Sequence, residues 1–155
     1  MLKLYISRNG KLLLEEKLLT IEKEITETYR LMGESTKIDN DLRENPEYLE
    51  LQTKVSYKLP LEKSKIKEIL NSSLIIEEQD FYKTFTGNEV IIGAVISLLY
   101  NGIEEVYKIV GYGEEDPFNN IILYNCDFAI NLIGKVKGSE FSFRNSKIKI
   151  LDISL

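Results

Sequence analysis

The sequence predicts an α+β protein in two parts: an antiparallel coiled-coil helical hairpin, then a small antiparallel sheet carrying one short helix. Three observations carry that prediction. Apolar residues recur at heptad spacing in two runs separated by one acidic, polar stretch. Beyond about Asp80 the pattern changes to period two. Turn signals at Asn101-Gly102 and Asn145-Ser146 then separate β-rich runs. The expected division is residues 1–77 for the hairpin, with its acidic tip near 39–47, and residues 78–155 for the sheet domain.

Composition narrows the chemistry. The 155 residues are 43% hydrophobic, enough for a core, and the net charge is −5. That balance argues against broad electrostatic binding to nucleic acid or an anionic membrane, and leaves only a weak DNA contact through local basic patches open. There is no histidine, which removes the commonest general base and excludes Ser-His-Asp and Cys-His catalysis. The single cysteine, Cys126, reads as a plain structural or free thiol. The longest apolar stretch, Val90 to Tyr100, is shorter than the roughly 20 residues a bilayer requires, and the first ten residues lack a signal-peptide pattern. A soluble, cytoplasmic monomer is the expectation.

The first residues read as a lead-in ending in an Asn9-Gly10 turn. From Lys11 the seam Leu14, Leu18, Ile21, Ile25, Thr28, Met32 alternates steps of four and three, with acids and lysines on the outer face. Gly33, Ser35, Thr36, Asp39 and Asn40 are poor helix formers, so the tip is expected to begin after Gly33. Asn40 suits left-handed geometry or a cap on the second helix. Pro46 and Glu47 suit that helix's first turn. The second seam is Tyr48, Leu51, Val55, Leu59, Glu62, Ile66, Ile69, with Pro60 inside it, which predicts a kink or break near Lys58–Pro60. About 30 helical residues at 1.5 Å each give an arm of roughly 45 Å. At the tip, Asp41 and Glu44 read either as capping, solubilising acids or as two carboxylates converging on a divalent cation. Carboxylate oxygens suit magnesium, but two acids do not complete a site, so a partner would have to supply the rest.

Asn71 to Asp80 reads as a junction. Strands are expected over Val90–Tyr100, Val106–Gly111 and Asn119–Tyr124. A short helix is expected over Phe128–Ile133, ended by Gly134. A last hairpin pairs Phe141 and Phe143 with Ile148 and Ile150. Gly111-Tyr112-Gly113 lacks a third glycine and is followed by Glu114, Glu115 and Asp116, which would repel phosphate. Lys135, Lys137, Arg144, Lys147 and Lys149 read as a solvated strand face rather than a binding patch.

These blocks resemble the Gre family of bacterial transcription elongation factors. The family's tip reads Gly-Asp-Leu-Ser-Glu-Asn-Ala-Glu-Tyr, and this chain has Asn40-Asp41-Leu42-Arg43-Glu44-Asn45-Pro46-Glu47-Tyr48. Ile92-Gly93-Ala94, Tyr107-Lys108-Ile109-Val110-Gly111, Glu114-Glu115-Asp116-Pro117 and Leu132-Ile133-Gly134-Lys135 follow in the family's order and spacing. The resemblance implies an FKBP-like C-terminal domain that docks on bacterial RNA polymerase and an arm that enters its secondary channel. It also implies that Asp41 and Glu44 hold Mg2+ jointly with the polymerase and stimulate cleavage of backtracked RNA, so that the nascent RNA 3′ end is reached indirectly. An accessory factor, not an enzyme in its own right, is expected.

The departures are specific. Arg43 replaces a small hydroxyl residue between the two acids, where a guanidinium suits pairing with an acid or contact with RNA phosphate. Asn40 replaces glycine, Pro46 replaces alanine, and Asp127 stands in place of proline. The second helix carries Pro60 and a one-residue shift. A non-cleaving regulator of the channel is the competing expectation. A proline-isomerase reading is disfavoured because the chain has no tryptophan and Phe141 and Phe143 alternate as core residues.

Overall fold

A computed structural model describes residues 2–38 and 41–155. The role expected of Asn40 at the tip lies outside the described residues. The chain divides into two compact units, Leu14–Ser72 and Met1–Leu13 with Ser73–Leu155. The division therefore falls at Ser72/Ser73 rather than at 77/78, and the first residues belong with the sheet instead of the hairpin.

The reason is a strand the sequence reading missed. β1 (Leu4–Ile6) pairs in parallel with β2 (Ser73–Ile75). Tyr112 N–H donates to the Tyr5 carbonyl at 3.2 Å, and Tyr5 N–H donates to the Tyr124 hydroxyl at 3.3 Å. Gly111 is required at this junction, because a Cβ there would sit 2.7 Å from the Tyr5 carbonyl oxygen. The Gly-x-Gly segment thus serves close backbone approach. Asn9-Gly10 is not a turn but the opening of α1 (Arg8–Ile38). Ser7 caps it, its hydroxyl accepting from Gly10 N–H at 2.8 Å and donating to Glu114 at 2.5 Å.

The sheet has strand order β5-β4-β3-β7-β6, with β3 (Val95–Tyr100), β4 (Ile103–Val110), β5 (Ile121–Leu123), β6 (Glu140–Phe143) and β7 (Ser146–Ser154). Residues 90–94, expected as strand, precede β3 as irregular chain, and Gly93 there has φ +97°. The β3–β4 turn is Asn101-Gly102, both at positive φ, as a two-residue hairpin demands. Arg144 and Asn145 do the same between β6 and β7. The pairings are antiparallel except that β5 lies parallel to β4, after the segment 111–120 carries the chain back past a left-handed Asn120. A register shift between Ser97 and Leu98 lets both Ile150 and Ile153 face inward.

Two short helices complete this unit, α4 (Asp80–Lys83) and α5 (Asp127–Leu132). Gly134 follows α5 at φ +86°, the left-handed helix end the sequence signalled. The core is Val90, Ala94, Ile96, Leu98, Ile109, Ala129, Leu132, Ile148 and Ile150, all essentially inaccessible. Each large member contributes about 1.5–3 kcal/mol of burial. Among the described residues, no helix is long and apolar enough to cross a membrane.

The other unit is the hairpin. α1 runs to Ile38, through the poor helix formers Gly33, Ser35 and Thr36. The return strand of the hairpin is helical from Pro46 to Ser72: α2 (Pro46–Thr53), a π-helical turn over Lys54–Lys58, and α3 (Leu59–Ser72). The break expected near Pro60 takes this form. Leu59 N–H reaches back five residues to the Lys54 carbonyl, so the wide turn absorbs one residue just before a proline that has no N–H to donate. The ion pairs Lys17–Glu62 at 2.9 Å, Glu22–Lys63 at 3.2 Å and Glu24–Lys54 at 2.6 Å bridge the two sides of the hairpin. Glu62, the charged seam residue, is accounted for by the first of them.

Candidate functional site

The end of the hairpin is built from backbone outwards. Asp41 to Glu44 form a turn closed by Glu44 N–H donating to the Asp41 carbonyl at 3.1 Å. The Asp41 carboxylate accepts from Arg43 N–H at 3.1 Å, the side-chain turn that aspartate makes readily. Asp41, Leu42, Arg43 and Glu44 are all exposed. Both predicted acids therefore stand on one short turn in water. The Arg43 guanidinium enters no ion pair among the described residues.

The residue that sequence reasoning missed is Asn45. It is 5% exposed, against the open turn beside it. Its Oδ1 accepts from Tyr48 N–H at 3.1 Å and so caps α2, with Pro46 at the first helical position. Its Nδ2 donates to the Ser35 hydroxyl at 3.0 Å and the Ser35 carbonyl at 3.3 Å. Ser35 is itself 2% exposed. The Asn-Pro-Glu order is a helix-start signal that pointed to this cap, and the tie to Ser35 left no sequence signal.

Along the last turns of α1, Arg30 forks between Glu27 and Glu34. The hydrogen bonds from Arg30 hold the Glu27 carboxyl below its usual range. Such exposed pairs add little stability.

The other sequence candidates resolve structurally. Lys137 pairs with Asp152, Arg144 with Asp127 and Lys149 with Glu140, while Lys135 lies over the Phe141 ring. The basic cluster is thus largely neutralised by neighbours. Cys126 caps α5, its Sγ accepting from Ala129 N–H at 3.5 Å. Among the described residues, no group of three or more Asp, Glu, Cys or His is placed to hold a metal ion. Asp41 and Glu44 offer the hard oxygen donors that Mg2+ takes, in the number it commonly accepts from a protein. The donor set fits an ion whose remaining ligands come from elsewhere.

Residues 86–155 match the family described as "Transcription elongation factor, GreA/GreB, C-term". The chain is 32% identical over 140 residues to transcription elongation factor GreA of Shouchella clausii, covering 84% of this chain and 81% of that protein. It is 30% identical over 141 residues to GreA of Oceanobacillus iheyensis, covering 88% and 84%. A solved structure titled as the transcription factor Gfh1 aligns over 98% of this chain and 97% of that one, with TM-score 0.46 and 14% identity. On the strength of the GreA relatives, which it matches over most of their length, the chain belongs to the GreA/GreB family of transcription elongation factors.

Proposed function

We propose that this chain is a cytoplasmic accessory factor that inserts the tip of its helical hairpin into the secondary channel of bacterial RNA polymerase and stimulates the enzyme's intrinsic cleavage of backtracked RNA. The observation that carries the reading is that one exposed, hydrogen-bonded turn carries both Asp41 and Glu44, in a chain of this family. The sheet unit, Met1–Leu13 with Ser73–Leu155, is the part that docks.

The chemistry asked of the chain is modest. Asp41 and Glu44 bring carboxylate oxygens to a site that the polymerase completes. Mg2+ held there supplies charge stabilisation to the attacking and leaving oxygens of phosphodiester hydrolysis. The Asp41–Arg43 backbone contact orients the first acid, and the Asp41–Glu44 turn fixes the backbone that carries the second. An exposed Arg43 between them favours a second reading, in which the guanidinium opposes a cation and the chain occupies the channel without cleaving.

The test is RNA shortening in stalled, backtracked polymerase complexes with magnesium. Asp41→Ala and Glu44→Ala should each lower the stimulated rate by about a hundredfold, the scale of losing one positioned electrostatic group, while polymerase binding persists. Undiminished shortening by the double variant sinks the proposal. A wild-type chain that competes for the channel without shortening RNA, and gains activity as Arg43→Ser, establishes the regulator instead.

A further inference from the structure

The hydrogen bonds between Asp41, Arg43 and Glu44 fix the local shape of the turn. The residue that follows it reaches both helices. Asn45 follows Glu44 directly, and its amide is used at both ends. Oδ1 accepts from Tyr48 N–H at 3.1 Å, on α2, and Nδ2 donates to the Ser35 hydroxyl at 3.0 Å and carbonyl at 3.3 Å, on α1. Its own carbonyl accepts from Leu49 N–H at 3.1 Å. The side-chain orientation is forced, because the N–H of Tyr48 can meet only the oxygen.

The surroundings give this tie its weight. On α1 the fully buried seam positions are Leu14, Ile21, Thr28 and Ser35. The seam is apolar at one end and hydroxylic at the other, so the last turns before the acids have little apolar packing to set their register. A buried, satisfied amide does what packing does elsewhere: it admits one geometry and penalises the rest.

We propose that Asn45, through Ser35, is a positioning residue for Asp41 and Glu44, setting how the acids are presented without touching the reacting groups. This rests on the cleavage reading above. The informative variant is Asn45→Asp. It keeps an excellent cap acceptor for Tyr48 N–H, yet loses both donors to Ser35 and sets a charge against a carbonyl.

The experiment uses the full chain and two readouts. In the cleavage assay, Asn45→Asp should lower the rate at saturating factor by about tenfold or more. The half-saturating concentration should move less than about threefold, since ground-state binding is retained. Ser35→Ala, which spares the carbonyl contact, should show the same pattern to a smaller degree. In the free protein, hydrogen exchange at the amides of residues 42–44 should accelerate in Asn45→Asp. A role in stability alone would lower the melting temperature and leave the saturated rate intact, and that result overturns the proposal. Unchanged exchange at 42–44 overturns it independently of cleavage. A wild-type chain that shortens no RNA is a different failure, that of the cleavage reading itself.

Discussion

The two units solve the same problem with different chemistry. In the sheet unit, strands β3, β4 and β7 bring branched aliphatics onto one face, and Ile96, Leu98, Ile109 and Ile150 are all at 0% exposure. Across the hairpin, the buried positions change character along its length: Leu14, Ile21, Val55, Leu59 and Ile66 are apolar, then Thr28, Ser35 and Asn45 are not. An apolar core supplies free energy with weak directionality. Buried hydrogen bonds supply little net free energy but specify geometry. The sheet unit is built to be stable, whereas the far end of the hairpin is built to be specific.

The largest effect that tests this contrast lies in the sheet. Leu98→Ala removes a fully buried side chain at the centre strand and should destabilise that unit by about 2–5 kcal/mol. Denaturant unfolding followed by the tyrosine and phenylalanine signal in the near ultraviolet checks it. A loss below about 1 kcal/mol would mean that the apolar core is not the main support.

Alkaline titration gives the next effect. Burial, more than any neighbouring group, pushes the Tyr124 hydroxyl up to about 12, from the usual tyrosine value of about 10. Burial, with a hydrogen bond to Glu105, raises Tyr107 as well. A raised folded-state pKa means the contribution is whole below the unfolded value and is lost as pH climbs through the folded one. The sheet unit should therefore hold its stability to about pH 10 and weaken from there to about pH 12. Tyr124→Phe should flatten part of that slope, at the cost of a lower plateau. The plateau falls because the hydroxyl also holds β1, accepting from Tyr5 N–H and donating to the Lys3 carbonyl. Thermal melts across this range decide it, and an unaltered slope in the variant removes Tyr124 as a cause.

Much of this architecture was legible in local patterns. Heptad spacing placed both helices, Asn101-Gly102 and the glycine after α5 placed their turn and cap, and the order of motif blocks pointed to the family. What stayed hidden depends on contacts between distant residues. β1 has only three residues and pairs with a strand some seventy positions on, so no periodicity reveals it. Pro60 announced a disturbance, but not that the helix would widen at 54–58 and continue. At the tip, Asp41 and Glu44 were singled out by residue type and motif, while Ser35, which bonds to the neighbouring Asn45, was read as a poor helix former. Its value lies in Asn45, ten residues later.

The smallest prediction bears most directly on the contrast. Thr28 is 2% exposed, and its hydroxyl donates to the Glu24 carbonyl at 2.7 Å, within its own helix. That bond ties nothing across the hairpin, and such back-bonding is mildly unfavourable in a helix. Thr28→Val keeps the branching and exchanges a buried hydroxyl for a methyl. It should stabilise the hairpin by about 0.5–1 kcal/mol, visible as a helical melting midpoint higher by roughly 4 °C. If the hydroxylic seam were merely a poor core, this gain would come with sharper cleavage. If it is there for geometry, and the geometry resides in Asn45 and Ser35, the hairpin should become more stable while the rate at saturating factor stays the same. A Thr28→Val chain that loses stability would show that the far end of the seam depends on its hydroxyls for strength as well as register, and the contrast between the units would fail at that point.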